Sequence, residues 1–299
     1  MKTILLTGKN GQVGWELQRT LAPLGRVVAL DAEDLDLADA EAIRRKVREI
    51  KPHIIVNPAA YTAVDKAEVE PDLAMAINGI APGVFAEEAK RLDALLVHYS
   101  TDYIFDGNKP SAYVEDDVPN PLGVYGKTKL AGEEAVRAAG CRHLILRTSW
   151  VYGARGKNFL LTMLKLAQER SELRIVDDQV GAPTWSRTLG EITALILAQM
   201  QSPCMNADKA AQRYGTYHLT SAGRVSWYGF TAEILRQAGT QPAPTLHPIP
   251  TSDYPTPAAR PKNSCLSNEK LLHAFGLSGG EWQDNLHLCL QERLKVPTC

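Results

Sequence analysis

Gly8-Lys9-Asn10-Gly11-Gln12-Val13-Gly14 restricts the possible folds of this chain more than any other stretch. The residues before it, Thr3-Ile4-Leu5-Leu6-Thr7, are apolar without alternation, as in a strand covered on both faces. After it, Trp15-Glu16-Leu17-Gln18-Arg19-Thr20-Leu21 has the pattern of an amphipathic helix. Glycines at 8, 11 and 14 in a strand-to-helix turn let the backbone approach a pyrophosphate, whose charge the helix N-terminus stabilises. A plain tight turn is the alternative for a glycine loop alone, and the flanking strand and helix favour phosphate binding.

Val27-Val28-Ala29-Leu30 predicts the next strand. Asp31 at its end is placed to accept hydrogen bonds from ribose hydroxyls, unless it is a loop aspartate with no such role. By charge Asp31 favours NADH, whereas Lys9 would meet the 2′-phosphate of NADPH, so the coenzyme stays open between the two. Element types then trade places. The pattern predicts a helix over 40–50, a strand over 53–56 and a helix over 72–91 interrupted near Pro82. A strand over 94–99, a helix over 130–139 and a strand over 143–146 follow. Such alternation implies right-handed crossovers and therefore the α/β class, a doubly wound parallel sheet of Rossmann type over residues 1–150. Ligands of such sheets lie beyond the carboxyl ends of the strands, where Asn57–Thr62 and Ser100–Tyr103 fall. Small residues there would admit a flat ring, or only pack closely.

Beyond Trp150 the alternation fades, and 151–299 reads mainly as a smaller α/β substrate-binding domain. Helices are expected over 156–169, 187–200 and 226–238, with short strands over 173–176 and 217–219. The apolar helix over 187–200, stopped by Ser202-Pro203, should return to the nucleotide domain. Gln241–Pro244 and His247–Pro250 read as extended linkers too rich in proline for regular structure. Pro255–Pro261 reads as a rigid loop whose Arg260 fork suits a nucleotide diphosphate, a surface arginine being the plain alternative.

A net charge of -1 over 299 residues excludes the basic excess of a dedicated nucleic-acid or anionic-membrane binder. Cys141, Cys204, Cys265, Cys289 and Cys299 are scattered, odd in number and without C-x-x-C spacing. They read as reduced thiols in a cytoplasmic protein. No apolar run approaches the roughly 20 residues of a membrane span.

Tyr125 and Lys129 sit four apart, hence on one face of a helix. A phenol with a pKa of about 10 is a poor acid or base at neutral pH, and a nearby ammonium would draw it down. An exposed tyrosine beside a basic helix face is the plain alternative. Thr101, ending a strand, offers a hydroxyl to a carbonyl oxygen. Together the three suit ketone reduction: Tyr125 as proton donor, Lys129 lowering its pKa and holding the nicotinamide ribose, Thr101 steadying the oxygen.

With G-x-x-G-x-x-G at Gly8, Gly11 and Gly14 and Y-x-x-x-K at Tyr125 and Lys129, the chain resembles the extended short-chain dehydrogenase/reductases. Further blocks narrow the resemblance to the dTDP-4-dehydrorhamnose reductase family. They include Ala63–Glu68, His98–Tyr103, Tyr125–Glu133, Arg147–Tyr152, Asp178–Thr184 and Tyr254–Pro261. The resemblance implies reduction of the C4 ketone of dTDP-4-dehydro-β-L-rhamnose to dTDP-β-L-rhamnose, the last step of making that sugar donor. It implies coenzyme contacts from Gly11, Gln12, Val13, Asp31, Asp36, Leu37, Ala60, Tyr61, Thr62 and Tyr99. It implies sugar-nucleotide contacts from Thr101, Asp102 and Trp150, the last being otherwise a core aromatic. The family can hold Mg2+ at a dimer interface through three glutamates. Glu16 and Glu292 match two of those positions, but Arg187 stands at the third, which leaves a monomer or a weak homodimer as the expectation. The alternatives are another sugar-nucleotide epimerase or dehydratase, and a non-catalytic NADP-binding regulatory subunit.

Overall fold

Ile4, Leu5, Leu6 and all of Ile54–Asn57 are buried, because their strands lie mid-sheet with helices on both faces. The computed structural model describes residues 1–202 and 204–294. Pro203, the expected helix stop, and Cys299 lie outside the described residues. Five strands come from the first half: β1 (Thr3–Leu6), β2 (Arg26–Ala29), β3 (Ile54–Asn57), β4 (Leu95–Thr101) and β5 (Arg142–Thr148). A sixth, Gly215–His218, joins beside β5, giving the all-parallel order Gly215–His218, β5, β4, β3, β1, β2. The chain reverses direction across the sheet between β1 and β3, which opens a crevice at their carboxyl ends.

Side-chain alternation sends Ile4 and Leu6 to one face and Leu5 to the other. On the first face Val56, Val97 and Leu146 meet Leu17 and helix Ser186–Met200 through Leu189, Ile192 and Ile196. On the second, Ile55, Leu96 and Ile145 meet Ile43, Val47, Phe85 and Val136. Each such fully buried aliphatic group contributes on the order of 2 kcal/mol. Helix Ala40–Ile50 starts where expected because the Asp39 carboxylate accepts from the Ala42 N–H. The interruption expected near Pro82 is a π turn over Ala76–Ile80, between helices Pro71–Met75 and Ala81–Arg91. Pro82, in the first turn of the last, needs no intrahelical donor there.

The second half is not as separate as its sequence suggests. Its helix Ser186–Met200 packs on helix Gln12–Thr20, and Leu271 and Phe275 of helix Glu269–Phe275 join the same core as Tyr217. The remainder forms its own cluster around Tyr152, Leu160, Trp185, Phe230, Trp282 and Leu286. One expectation is corrected: Thr245–Ile249 is a strand, pairing in parallel with Glu172–Val176. Two strands make a ribbon of edges, where a proline such as Pro248 is tolerated. No helix among the described residues is long and apolar enough to cross a membrane.

Candidate active site

The glycine turn is built by close approach. Gly8 has φ +60°, and its carbonyl oxygen accepts from the Gly11 N–H over 3.0 Å. A Cβ on Gly14 would lie 1.9 Å from that same oxygen, so no side chain fits. Beyond the turn lies a cavity of about 530 Å³. Every residue expected at the coenzyme lines it except Lys9, whose ammonium is bound to Asp34, and Tyr61, whose hydroxyl donates to Glu70 Oε2 instead. Sequence reasoning missed Asn10, Ile77, Thr148, Val151 and Lys157, which also line it. Lys157 arrives from the second half because Asn158 Nδ2 donates to Gln12 Oε1 over 3.0 Å and to the Gly153 carbonyl. No spacing in the sequence signals that contact.

Tyr125 and Lys129 share one face of helix Val124–Ala139 and both line the cavity. Two glycines bring this helix in: a Cβ on Gly126 would lie 2.2 Å from the Tyr103 carbonyl oxygen, and one on Gly132 would lie 2.1 Å from that of Asn78. The Tyr103 ring packs edge-on against Tyr125, with centroids 5.3 Å apart. Thr101, at the end of β4, stands beside the phenol, and its hydroxyl donates to Asp102 Oδ1 over 3.0 Å. Burial pushes the Asp102 carboxyl up to about 6, opposed by the nearby Ser264 and by the Thr101 hydroxyl that donates to it.

The electrostatics correct one expectation. Lys129 does not acidify Tyr125 here: burial pushes the phenol up to about 12, the Thr101 hydroxyl opposes this, and the Asp102 carboxylate adds to the rise. The Tyr125 ring keeps some exposed surface, yet its hydroxyl sits deep among protein atoms. The Lys129 amine donates to the Tyr99 carbonyl over 2.7 Å and lies 3.5 Å from His98 Nε2. Desolvation pulls it down to about 8, against the pull of Glu133. His98, fully buried, is held well below its usual range by desolvation and by Lys129.

The remaining sequence-picked residues lie outside the lining of that cavity. Trp150 has φ +48°, uncommon for an aromatic residue and a mark of strain held by its surroundings. Its ring stacks on Trp227, with centroids 3.4 Å apart and planes 7° from parallel, while Gly181 lies so close that a Cβ would meet the indole at 2.6 Å. Trp227 was not foreseen. Arg260 is also read differently now. Its fork closes on Asp65 (Nη1–Oδ1 3.0 Å, Nη2–Oδ2 2.9 Å) with Thr256 and the Ala258 carbonyl as further acceptors, so an internal carboxylate already matches it.

Glu16, Arg187 and Glu292 do converge. Burial and Glu292 raise the Glu16 carboxyl, while Arg187 lowers it. Arg187 Nη1 stands 3.6 Å from Glu292 Oε2, and its Nε donates to Glu191 over 2.9 Å. A fixed guanidinium beside both carboxylates does not fit a divalent cation. No group of three or more His, Cys, Asp or Glu among the described residues is placed to hold one.

The sequence and the fold of this chain recur in known proteins. A family model described as the RmlD substrate binding domain matches residues 1–295. The dTDP-4-dehydrorhamnose reductase of Burkholderia thailandensis is 50% identical, over 97% of this chain and 99% of its own. The crystal structure of a dTDP-4-dehydrorhamnose reductase from Clostridium acetobutylicum superposes with a TM-score of 0.88 at 39% identity, covering 98% of this chain and 100% of that one. The enzyme of that name from Bacillus anthracis, solved in complex with NADP, gives a TM-score of 0.88 at 36% identity, covering 97% and 99%. Agreement over nearly the full length of both sequence and fold shows that this chain belongs to the dTDP-4-dehydrorhamnose reductase family.

Proposed function

We propose that the protein reduces the C4 ketone of dTDP-4-dehydro-β-L-rhamnose to dTDP-β-L-rhamnose with NADH or NADPH. The observation that carries this is the Tyr125 phenol at the wall of the cavity that Lys129 and the glycine turn also line, with Thr101 beside it. A dihydronicotinamide dinucleotide, when bound, supplies the hydride. With a pKa near 12, Tyr125 keeps its proton at neutral pH and can deliver it to the oxygen, since an alkoxide is a far stronger base than a phenolate. Thr101 turns its one hydroxyl hydrogen from Asp102 Oδ1 to the same oxygen as charge develops on it, and Lys129 holds the nicotinamide ribose. Asp102 and Trp150 meet the sugar nucleotide. Arg260 acts at one remove, by tying the Tyr254–Pro261 loop to Asp65.

In this reading residues 1–150, with helix Ser186–Met200, hold the dinucleotide, and most of 151–299 holds the sugar nucleotide. The protein works in the cytoplasm as a monomer or weak homodimer, without Mg2+, because the Arg187 guanidinium occupies the place beside Glu16 and Glu292 where a cation would sit. The test is oxidation of NADH and of NADPH with dTDP-4-dehydro-L-rhamnose. Stoichiometric oxidation of either supports the reading, and no turnover with both overturns it. Recycling of a bound dinucleotide without net loss would mark an epimerase or dehydratase, and recovery of a stoichiometric enzyme partner would mark a regulatory subunit.

A further inference from the structure

The end of the cavity at β2 decides what a dinucleotide may carry on its adenosine ribose. Asp31 lines it, with both carboxylate oxygens fixed: Oδ2 accepts from the Asn10 N–H and Oδ1 from the Ala32 N–H, each over 2.8 Å. A carboxylate in this place receives the two ribose hydroxyls. A 2′-phosphate would bring its own negative charge to the same point, and it would need a cation. Lys9, in the glycine turn, is the candidate on this side: it stands just outside the lining of the cavity, and its N–H donates to the Leu30 carbonyl beside Asp31. Its ammonium, however, is bound to Asp34 Oδ2 at 2.5 Å.

Asp34 is held for that contact. Its Oδ2 also accepts from the Asp31 N–H over 2.9 Å, and its own N–H donates to the Asp31 carbonyl. The turn therefore places a second carboxylate directly behind the first, and Glu33 and Asp36 add two more beside them. Lys46, the other ammonium whose field reaches Asp34, pairs with Glu49 at 2.9 Å. Both nearby ammonium groups are thus already matched by carboxylates. Lys9 is raised above its ordinary range chiefly by its Asp34 hydrogen bond, and Asp34 is lowered chiefly by Lys9, as a formed pair requires.

The geometry points to Asp34 as a coenzyme-specificity residue: by keeping the Lys9 ammonium for itself, it makes the cavity prefer NADH over NADPH. The proposal rests on the dinucleotide reading above and adds to it the choice between the two coenzymes. Both side chains are partly exposed, so the discrimination should weaken as salt screens it.

Direct binding of NADH and NADPH to the full chain, followed by dinucleotide fluorescence, tests this without any need for turnover. Wild type should bind NADH about tenfold more tightly, and Asp34→Ala should tighten NADPH by about tenfold while changing NADH less than about twofold. Adding Lys9→Ala to Asp34→Ala should abolish the gain, and 0.5 M salt should shrink the wild-type preference. Equal or tighter binding of NADPH by wild type, an unchanged ratio in Asp34→Ala, or a gain that survives Lys9→Ala would overturn the proposal while leaving the dinucleotide reading intact. Binding of neither coenzyme would overturn both.

Discussion

Lys129 donates its Nζ hydrogen to the carbonyl oxygen of Tyr99 over 2.7 Å, which anchors the helix bearing Tyr125 to the end of β4. The charge that strengthens this tie is disfavoured by burial. His98 of β4 faces the same amine as a neutral ring, Glu133 lies one turn on along the helix, and the Tyr125 phenol one turn back.

Because burial lowers the amine to about 8, its charged form is lost at a lower pH than for an exposed lysine. kcat/KM for the coenzyme should hold up to about pH 8 and decline above it. Lys129→Met should remove that limb and cost on the order of a hundredfold at neutral pH. A pH profile of both proteins checks this. A wild-type limb that begins only above pH 10 would contradict it.

Gly126 is where the helix carrying Tyr125 touches the Tyr103 carbonyl. Gly126→Ala must push the helix outward, since backbone cannot yield as a flexible side chain does. A displacement of about 1 Å at a reacting group costs roughly a hundredfold in rate. Steady-state kinetics should show that loss in kcat, with dinucleotide affinity falling less, because the glycine turn is untouched and only the Lys129 contact to the ribose moves with the helix.

Glu133 and Arg147 form a buried bidentate pair, Nε–Oε1 2.9 Å and Nη2–Oε2 2.7 Å, beneath the same helix. Removing one partner strands the other, and Arg147→Met should cost about 3–5 kcal/mol in chemical denaturation. Glu133 is held below its ordinary range by Arg147, despite burial. Its contribution is therefore present above the unfolded carboxylate pKa and is lost as pH falls through the lower folded value. Wild type should lose more stability on acidification than Glu133→Gln.

Trp150 and Trp227 stack closely enough for their transitions to couple, so near-ultraviolet circular dichroism should show a paired band that Trp227→Leu abolishes. Trp227→Leu also frees the strained Trp150 backbone. KM for the sugar nucleotide should then rise about tenfold while coenzyme affinity stays within about twofold. An equal effect on both would remove Trp150 from the sugar side.

How much of this is legible in the sequence depends on how far apart the partners lie. β1, β3, β4 and β5 are readable because strands covered on both faces are uninterrupted apolar runs. The sixth strand, Gly215–His218, is legible as a short strand over 217–219, but its four mixed residues do not signal its place beside β5. Thr245–Ile249 hides behind Pro248, which only a two-stranded ribbon could accept. Tyr125 and Lys129 are legible because helical spacing is local. Their titration is not, because what surrounds them comes from β4. The Asp65–Arg260 fork, 195 positions apart, and the Lys9–Asp34 pair, 25 apart, are contacts that no periodicity encodes.

The central claim is that the Tyr125 hydroxyl protonates the ketone oxygen as hydride arrives. Single-turnover reduction by wild type and Tyr125→Phe, with dinucleotide binding measured on both, tests it most directly. The account predicts that Tyr125→Phe binds the dinucleotide as wild type does and reduces the ketone about 10²–10⁴-fold more slowly. Reduction by Tyr125→Phe at the wild-type rate would contradict it.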